Sequence, residues 1–254
     1  MTARTDRVAL VTGAGRLSGI AAAVVRRLAA DGWDVGFGHW PEYDERMPWR
    51  SEPDTAAALL ADIAECGRRG HAVVSDLSRP ESAEELFDAV TGALGSVTAL
   101  VMCHCESVDS DIMSTTVEAF DRHFAVNTRA VWLLVREFGR RFTGPSGDGR
   151  VIFLTSDHTA FNLPYGASKG AADRIVVAAA REFSGRGITC NVVNPGPVDT
   201  GWMSPELSRS VLEATPLGRP AGPEDPANVV GFLCSAQGGW VNGQIITADG
   251  GLHA

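Results

Sequence analysis

The sequence predicts an α/β fold in which helices cover both faces of one doubly wound parallel sheet. Short apolar runs rich in β-branched residues alternate with longer segments of helical periodicity along the whole chain. A chain of 254 residues that is 44% hydrophobic can bury one large core, and no linker, repeat or low-complexity segment divides it. We therefore expect a single domain over residues 1–254.

The first half of the chain shows this alternation three times. The run Val-Ala-Leu-Val that begins at Val8 is β-rich, and the alanine-rich segment after it has apolar positions at helical spacing. The same change from a short apolar run to a helical pattern recurs twice. The predicted strands are 8–12, 33–38 and 72–75, and the predicted helices are 20–31, 56–69 and 80–94.

The second half continues the alternation with longer helices. A fourth strand, 99–103, precedes a long helical pattern over 117–142 that fits one helix or two. Glycine, proline and polar residues separate the elements that follow. The remaining predicted strands are 151–155, 189–194 and 244–248, and the remaining helices are 165–184 and 226–235.

Two long connections interrupt the alternation, at residues 41–55 and 197–225. Ligands of open α/β sheets bind outside the carboxyl ends of strands, where both connections lie. The second is a candidate substrate lid with a short helix over 205–213. Apolar lid side chains would form one wall of the pocket, although packing within the lid explains them equally well: Trp202, Met203, Leu207 and Leu212.

Composition and charge argue against several classes of function. A net charge of −9 is unfavourable for binding nucleic acid. No segment approaches the roughly 20 apolar residues of a membrane span, and the first strand begins too close to Met1 for a secretory signal. Five cysteines in such a chain do not predict a disulfide framework. We expect a cytoplasmic protein that binds neither nucleic acid nor membranes.

A glycine-rich turn joins the first strand to the first helix. From Thr12 it reads Thr-Gly-Ala-Gly-Arg-Leu-Ser-Gly-Ile-Ala. Glycines let the backbone approach a pyrophosphate, and the helix that follows offers free N–H groups and a favourable dipole. Tight turns alone also use glycine, but the position inside a β-α-β pattern favours a dinucleotide site. The expected architecture is therefore of the Rossmann type.

Lysine occurs once in the chain, at Lys169, whereas arginine occurs 21 times. Tyr165, one of only two tyrosines, lies four residues earlier, so a helix places both side chains on one face. A neighbouring ammonium stabilises a phenolate and lowers the tyrosine pKa toward neutral pH, where it can exchange protons. Chance placement of a rare residue is the alternative. The pair predicts a proton-transfer site.

These motifs resemble the short-chain dehydrogenase/reductase family, and the resemblance covers essentially the whole chain. The segment 12–21 is similar to the family's Thr-Gly-x-x-x-Gly-x-Gly turn, with one or two extra residues and Ala21 in place of the third glycine. Tyr165 and Lys169 have its Tyr-x-x-x-Lys spacing, and the segment 242–251 resembles its closing strand and turn. The similarity is greatest to the 3-oxoacyl-acyl-carrier-protein reductase-like branch.

The resemblance implies four catalytic residues. Tyr165 would protonate the substrate oxygen with Lys169 beside it, and Asn127 would hold a proton-relay water near that lysine. Ser156, after the fifth strand, would polarise the substrate carbonyl. Ser156 precedes Tyr165 by only nine positions, fewer than is usual in the family, so the loop between them is short. Thr159 is the reserve candidate.

The resemblance also implies the residues that bind the dinucleotide. Asp76 would meet the adenine amino group, unless it caps the next helix. The second strand ends near His39 without an acid for the ribose hydroxyls, and Arg16 stands where family members carry a cation for a 2′-phosphate. Both favour NADP(H) over NAD(H), unless Arg16 points to solvent. The expected contacts are Gly13, Gly15, Arg16, Gly19, Ile20, His39, Asp76, Tyr165, Lys169, Pro195, Gly196, Val198 and Thr200.

One segment departs sharply from the family. Met102-Cys103-His104-Cys105 replaces the usual Asn-Asn-Ala-Gly, so amide hydrogen bonds are lost and weakened cofactor binding or an altered site is expected. A Cys-His-Cys run also raises the question of zinc. Neighbouring strand residues point to opposite faces, however, and no second cluster of ligands is evident. We expect no metal.

The predicted function is NADP(H)-dependent interconversion of a ketone and a secondary alcohol by hydride transfer, with a tyrosine as general acid and base. The substrate would be a small carbonyl or alcohol, free or carrier-bound. The resemblance further implies a homotetramer or homodimer. The alternative is a non-redox member of the same fold, a lyase, isomerase or nucleotide-binding protein, motivated by the 102–105 segment and the short loop after Ser156.

Overall fold

The computed structural model describes residues 7–201 and 203–253, and a parallel sheet forms its centre. The strands are β1 (Val8–Thr12), β2 (Asp34–His39), β3 (Gly70–Val74), β4 (Val97–Met102), β5 (Arg150–Leu154), β6 (Thr189–Asn194) and β7 (Ile245–Thr247). They form a seven-stranded sheet in the order β3-β2-β1-β4-β5-β6-β7. Chain order runs outward in opposite directions from the junction of β1 and β4, which confirms the doubly wound fold.

Helices connect the strands on both faces of the sheet. They are α1 (Ile20–Ala30), α2 (Pro41–Arg46), α3 (Thr55–Glu65), α4 (Ser82–Leu94), α5 (Val117–Phe124), α6 (Ala130–Arg141), α7 (Leu163–Glu182), α8 (Pro205–Ala214) and α9 (Glu224–Cys234). A π-helix, Ala125–Arg129, joins α5 to α6, so the pattern over 117–142 is two helices rather than one.

The predicted elements are present, with two informative differences. The helix predicted over 56–69 ends at Glu65, because Gly67 adopts a positive φ of 68° and terminates it. The connection predicted over 41–55 contains α2, which begins with Pro41 in its first turn and has Glu42 there, near the positive end of the helix dipole.

The core has two layers, one on each face of the sheet, because successive strand side chains point to opposite faces. Leu10 and Phe153 pack with α4, α6 and α7, whereas Val11 and Ile152 pack with α1, α3 and α9. The loops after the strands meet at the carboxyl edge of this rigid framework. Within the described ranges, no helix is long and apolar enough to cross a membrane.

Candidate active site

Tyr165 and Ser156 meet at the carboxyl edge of the sheet. Tyr165 lies in the first turn of α7, and the hydroxyl of Ser156, just after β5, interacts with the Tyr165 hydroxyl in the sense that lowers the pKa of Tyr165. The Ser156 oxygen also accepts a hydrogen bond from the His158 backbone N–H at 3.2 Å. The short loop therefore still brings Ser156 to Tyr165, whereas Thr159 is exposed.

Lys169 lies one turn further along α7 and is only 2% exposed. Its Nζ donates to the carbonyl oxygens of Leu154 at 2.7 Å and His104 at 3.4 Å. The same atom lies 5.8 Å from the centre of the Tyr165 ring. Burial lowers the pKa of Lys169, because a charged group loses hydration inside the protein. The ammonium is thus held under the tyrosine by two backbone carbonyls.

The expected lowering of the Tyr165 pKa is wrong for this structure. Burial raises the pKa of Tyr165, and the neighbouring Cys105 adds to that effect, while the Ser156 hydroxyl acts in the opposite direction. Burial dominates because the phenolate would lose its hydration. Tyr165 is therefore held in its protonated form, ready to donate a proton.

Asn127 is fully buried in the π-helix between α5 and α6. Its Oδ1 accepts from the Glu106 N–H at 2.8 Å, and its Nδ2 donates to the Glu106 carbonyl at 2.8 Å and to Ser168 Oγ at 2.9 Å. A π-turn points side chains in directions that a regular α-helix does not allow. Such turns are frequent at functional sites. Asn127 thus connects the loop after β4 to the residue before Lys169, and its relay water stays a prediction.

His104 links the end of β1 to the π-helix. Its Nδ1 lies 2.6 Å from Thr12 Oγ1, and its Nε2 lies 3.1 Å from the Val126 carbonyl oxygen. Burial lowers the pKa of His104 to about 3, so the ring is neutral. Nε2 then donates to the carbonyl, and Nδ1 accepts from the hydroxyl. The segment was expected only to lose amide hydrogen bonds. The imidazole of His104 instead supplies two hydrogen bonds there.

Cys103 and Cys105 flank His104 and are partly exposed, unlike the buried imidazole. Burial raises the pKa of both thiols, for Cys103 to about 12, so neither is a thiolate at neutral pH. Within residues 7–201 and 203–253, no three His, Cys, Asp or Glu side chains are grouped to hold a metal ion.

The glycine turn has the shape of a dinucleotide cradle. Gly13 has a φ of 85°, and a Cβ there would lie 2.7 Å from the His104 Cα, so only glycine fits. Gly19 is the N-cap of α1, and Ile20 begins that helix, so unpaired N–H groups face the cleft. The buried Nε of Arg16 has no hydrogen bond, which leaves a donor beside the turn. These residues fit a dinucleotide, with the exception of Gly15, where the Asp44 carboxylate stands.

Arg16 does not point to solvent, so that alternative is wrong. Its side chain is 12% exposed, and Nη2 donates to the Thr200 carbonyl at 2.7 Å. Its guanidinium lies 4.7 Å from the centre of the Trp49 ring. The arginine therefore joins the glycine turn to the segment after β6, and both border the same cleft.

The other expected cofactor residues lie around this cleft. Gly196 has a φ of 62° and packs against Asp249, and Val198 forms a bridge with Ala221, which fixes the Pro195–Thr200 turn. His39 ends β2 and is half-buried. Asp76 does not cap α4, whose N-cap is Glu81. Its Oδ1 accepts instead from the Ser78 N–H at 2.9 Å, and the adenine contact stays a prediction.

The apolar side chains expected to form a substrate wall are only partly buried or exposed in this structure. Leu207 and Leu212 are each 42% exposed, and Met203 is half-buried, so they do not form a closed apolar wall. Trp202 lies outside the described residues. The substrate wall stays a prediction.

Four residues that the sequence did not single out contribute to the site. Tyr43, Asp44 and Glu52 reach the cleft from the connection after β2, and Glu106 is a buried carboxylate paired with Arg46 and Arg122. No local pattern marks these residues, because tertiary folding brings the connection over the cleft. The rarity of tyrosine was the single signal that pointed toward Tyr43.

The comparisons with known proteins agree with this geometry. A family model described as enoyl-(acyl carrier protein) reductase matches residues 13–253. An oxidoreductase of Bacillus subtilis (strain 168), YjdA, described as uncharacterized, is 33% identical over 257 residues, which is 99% of each chain. An NADPH-dependent aldehyde reductase-like chloroplast protein of Arabidopsis thaliana is 34% identical and covers 96% of this chain and 93% of that one.

A solved structure is also similar to this chain over its whole length. A short chain dehydrogenase from Burkholderia cenocepacia J2315, in complex with NADP, matches with a TM-score of 0.87 at 30% identity, covering 99% of this chain and 100% of that one. The fold and the site define an oxidoreductase of the Rossmann type. The chain belongs to the short-chain dehydrogenase/reductase family.

Proposed function

We propose that the protein catalyses NADP(H)-dependent interconversion of a ketone and a secondary alcohol. The observation that carries this proposal is Tyr165, whose ring centre lies 5.8 Å from the buried Lys169 ammonium and whose hydroxyl interacts with Ser156. Such a group can give a proton to, or take one from, an oxygen atom that gains or loses charge.

Each residue has a role in that reaction. The Ser156 hydroxyl donates to the substrate oxygen and favours negative charge there. Tyr165 gives its proton to that oxygen in the reductive direction, and Asn127 and Lys169 hold the path by which the proton is replaced. When bound, NADP(H) supplies or accepts the hydride. Because the pKa of Tyr165 is raised, the tyrosine is protonated at neutral pH and enters the reductive direction as the proton donor.

The dinucleotide would be held by the residues that line the cleft. Gly13, Gly19 and Ile20 would offer backbone to the pyrophosphate, as would Gly15 once the Asp44 carboxylate has moved away, and Lys169 would donate to the ribose of the nicotinamide. His39 and Asp76 would lie at the adenosine end, and Pro195, Gly196, Val198 and Thr200 at the nicotinamide. Arg16 favours NADP(H), and the names of the Arabidopsis and Burkholderia relatives support that choice.

Partners and location complete the proposal. The substrate is a small carbonyl or alcohol, free or carrier-bound, and the protein acts in the cytoplasm without binding nucleic acid or membrane. We also propose a homotetramer or homodimer. Helices α6 and α7 would form the interface, where Trp132 is 47% exposed beside a surface groove.

Cofactor kinetics test the proposal. NADPH and NADH are compared by fluorescence titration and by Michaelis constants on a panel of aldehydes, ketones and 3-oxoacyl thioesters, for wild type and Arg16→Ala. We expect preference for NADPH in wild type, and an increase of about tenfold in the Michaelis constant for NADPH in the variant, because a charge-assisted phosphate contact is lost. The Michaelis constant for NADH should change little.

Two results would contradict the proposal. Preference for NADH in wild type would overturn the choice of NADP(H). Tight binding of NADPH with no oxidation on any carbonyl of the panel would favour the non-redox alternative.

A further inference from the structure

The connection after β2 lies across the dinucleotide cleft. We define the strap as residues 41–52, which include α2 and the turn that follows it. One side of the cleft is the glycine turn, and the other is the loop after β4 that contains Cys105, Glu106 and Ser107. The strap contacts both sides.

On the first side, two carboxylates of the strap lie against the glycine turn, and one of them, Glu52, accepts from a backbone N–H of that turn. Asp44, only 6% exposed, stands against Gly15, where it takes the space that a side chain would need. Glu52 Oε2 accepts from the Leu17 backbone N–H at 2.9 Å, and Glu52 Oε1 lies 4.0 Å from Arg16 Nε. Backbone N–H groups at a glycine turn and an adjacent arginine are the donors that bind phosphate.

Trp49 connects these two carboxylates to the arginine. Its Nε1 donates to Asp44 Oδ1 at 2.9 Å, and its ring stacks on the guanidinium of Arg16. Arg16 is thus already surrounded by the strap. A phosphate that binds Arg16 must share it with Glu52 or displace Glu52.

On the second side, the strap is fixed by Tyr43 and Arg46. The Tyr43 hydroxyl lies close enough to the Ser107 backbone N–H and the Cys105 thiol for Ser107 to lower the pKa of Tyr43 and for Tyr43 to lower that of Cys105, although burial outweighs both effects. Arg46 makes a two-pronged ion pair with Glu106, at 3.2 Å and 3.0 Å. These contacts close the strap over the cleft rather than leaving it as a free loop.

We propose that the strap is an internal competitor of the dinucleotide: Glu52 occupies a backbone N–H of the glycine turn beside Arg16, Asp44 fills the space against Gly15, and the strap leaves both when the cofactor binds. This inference rests on the proposed function, because it needs a dinucleotide site. Its chemistry is general, since a carboxylate and a phosphate oxygen accept from the same N–H donors.

The surroundings of Asp44 are consistent with a contact that is easily released. Burial raises the pKa of Asp44, and the Glu52 carboxylate adds to that effect, while Trp49, Arg16 and His39 oppose it. The carboxylate is therefore held at an energetic cost in the closed position.

The experiment compares NADPH binding to wild type, Glu52→Gln and Asp44→Asn by fluorescence titration. Both substitutions keep the size of the side chain and remove its charge, and thermal melting checks that each variant folds. We expect the dissociation constant for NADPH to fall by about fivefold or more in each variant, because one competing charge is gone. Glu42→Gln is the matched control, since Glu42 is an exposed carboxylate of the same helix and its loss should leave the constant unchanged.

Amide hydrogen exchange gives a second measurement that needs no activity. In wild type, NADPH should accelerate exchange in the peptide over 41–52 while it protects the glycine turn. If NADPH protects both segments, and Glu52→Gln and Asp44→Asn bind NADPH with the same dissociation constant as the Glu42→Gln control, the strap is not a competitor. The proposed dinucleotide site would be unaffected by that result. Absence of NADPH and NADH binding in every variant would overturn the proposed function and this inference with it. NADPH binding that is detected in Glu52→Gln or Asp44→Asn but not in wild type would support both the proposed function and the strap as a competitor.

Discussion

At the scale of single residues, Lys169 shows why one lysine persists in a chain that otherwise uses arginine. Its compact ammonium fits among Phe153, Tyr165 and the carbonyls of Leu154 and His104, with its Nζ 4.5 Å from the centre of the Phe153 ring. A guanidinium is planar and larger, and it spreads its donors over a fork. The same charge in a different shape would therefore disturb the position of Tyr165.

Replacement of Lys169 by arginine tests this reading. We expect Lys169→Arg to lower kcat by about 100-fold or more, because proton transfer by a correctly positioned acid contributes at least that much. Steady-state kinetics with NADPH measure the loss, and circular dichroism checks the fold. Arg174→Lys, the reverse exchange at an exposed position of the same helix, should keep wild-type activity. A fully active Lys169→Arg enzyme would make the lysine a coincidence.

At the scale of elements, the loop between β5 and α7 places the two candidate hydroxyls differently. Ser156 lies two residues after the end of β5 and its hydroxyl interacts with Tyr165, while Thr159 lies in the exposed middle of the loop. The strand end is rigid because β5 pairs with both β4 and β6. A donor on a rigid element keeps its geometry toward the substrate oxygen without reorganisation.

Two alanine variants distinguish these hydroxyls. We expect Ser156→Ala to lower kcat by about 100-fold, the usual effect of removing one preorganised donor. Thr159→Ala should stay within about twofold of wild type, as is usual for exposed positions away from the chemistry. Turnover on the best carbonyl of the panel measures both. Near-wild-type turnover of Ser156→Ala, or a large loss in Thr159→Ala, would move the role elsewhere.

At the scale of the whole molecule, the two core layers meet at the central strands β1 and β4, and His104 fastens that centre to the π-helix. The neutral imidazole satisfies Thr12 and the Val126 carbonyl inside the protein. The pKa of His104 is about 3 in the folded protein, against 6.5 for an ordinary histidine. Between these values only the unfolded chain binds a proton at this site, so the folded protein loses stability as pH falls below 6.5.

Urea unfolding at two pH values measures this linkage. Between about pH 7.5 and about pH 5.5, we expect wild type to lose about 1.4 kcal/mol more unfolding free energy than His104→Gln, whose amide does not titrate. His158→Gln, at an exposed position, should show the wild-type difference. Equal pH dependence in wild type and His104→Gln would show that His104 is not kept neutral by the fold.

Local patterns of the sequence were sufficient for the fold class, the order of the elements, the glycine turn and the Tyr165–Lys169 pair. Hydrophobic periodicity and residue spacing act over a few residues, so they can be read without knowledge of the tertiary structure. Asp44 and Glu52 could not be assigned in this way, because the glycine turn that they contact lies elsewhere in the chain. The partners of Arg16 and the raised pKa of Tyr165 likewise depend on burial and on contacts between distant segments. The sequence by itself therefore determined the family, while the tertiary structure alone decided what stands in the cleft beside the glycine turn, since desolvation and charge contacts arise only when the chain has packed.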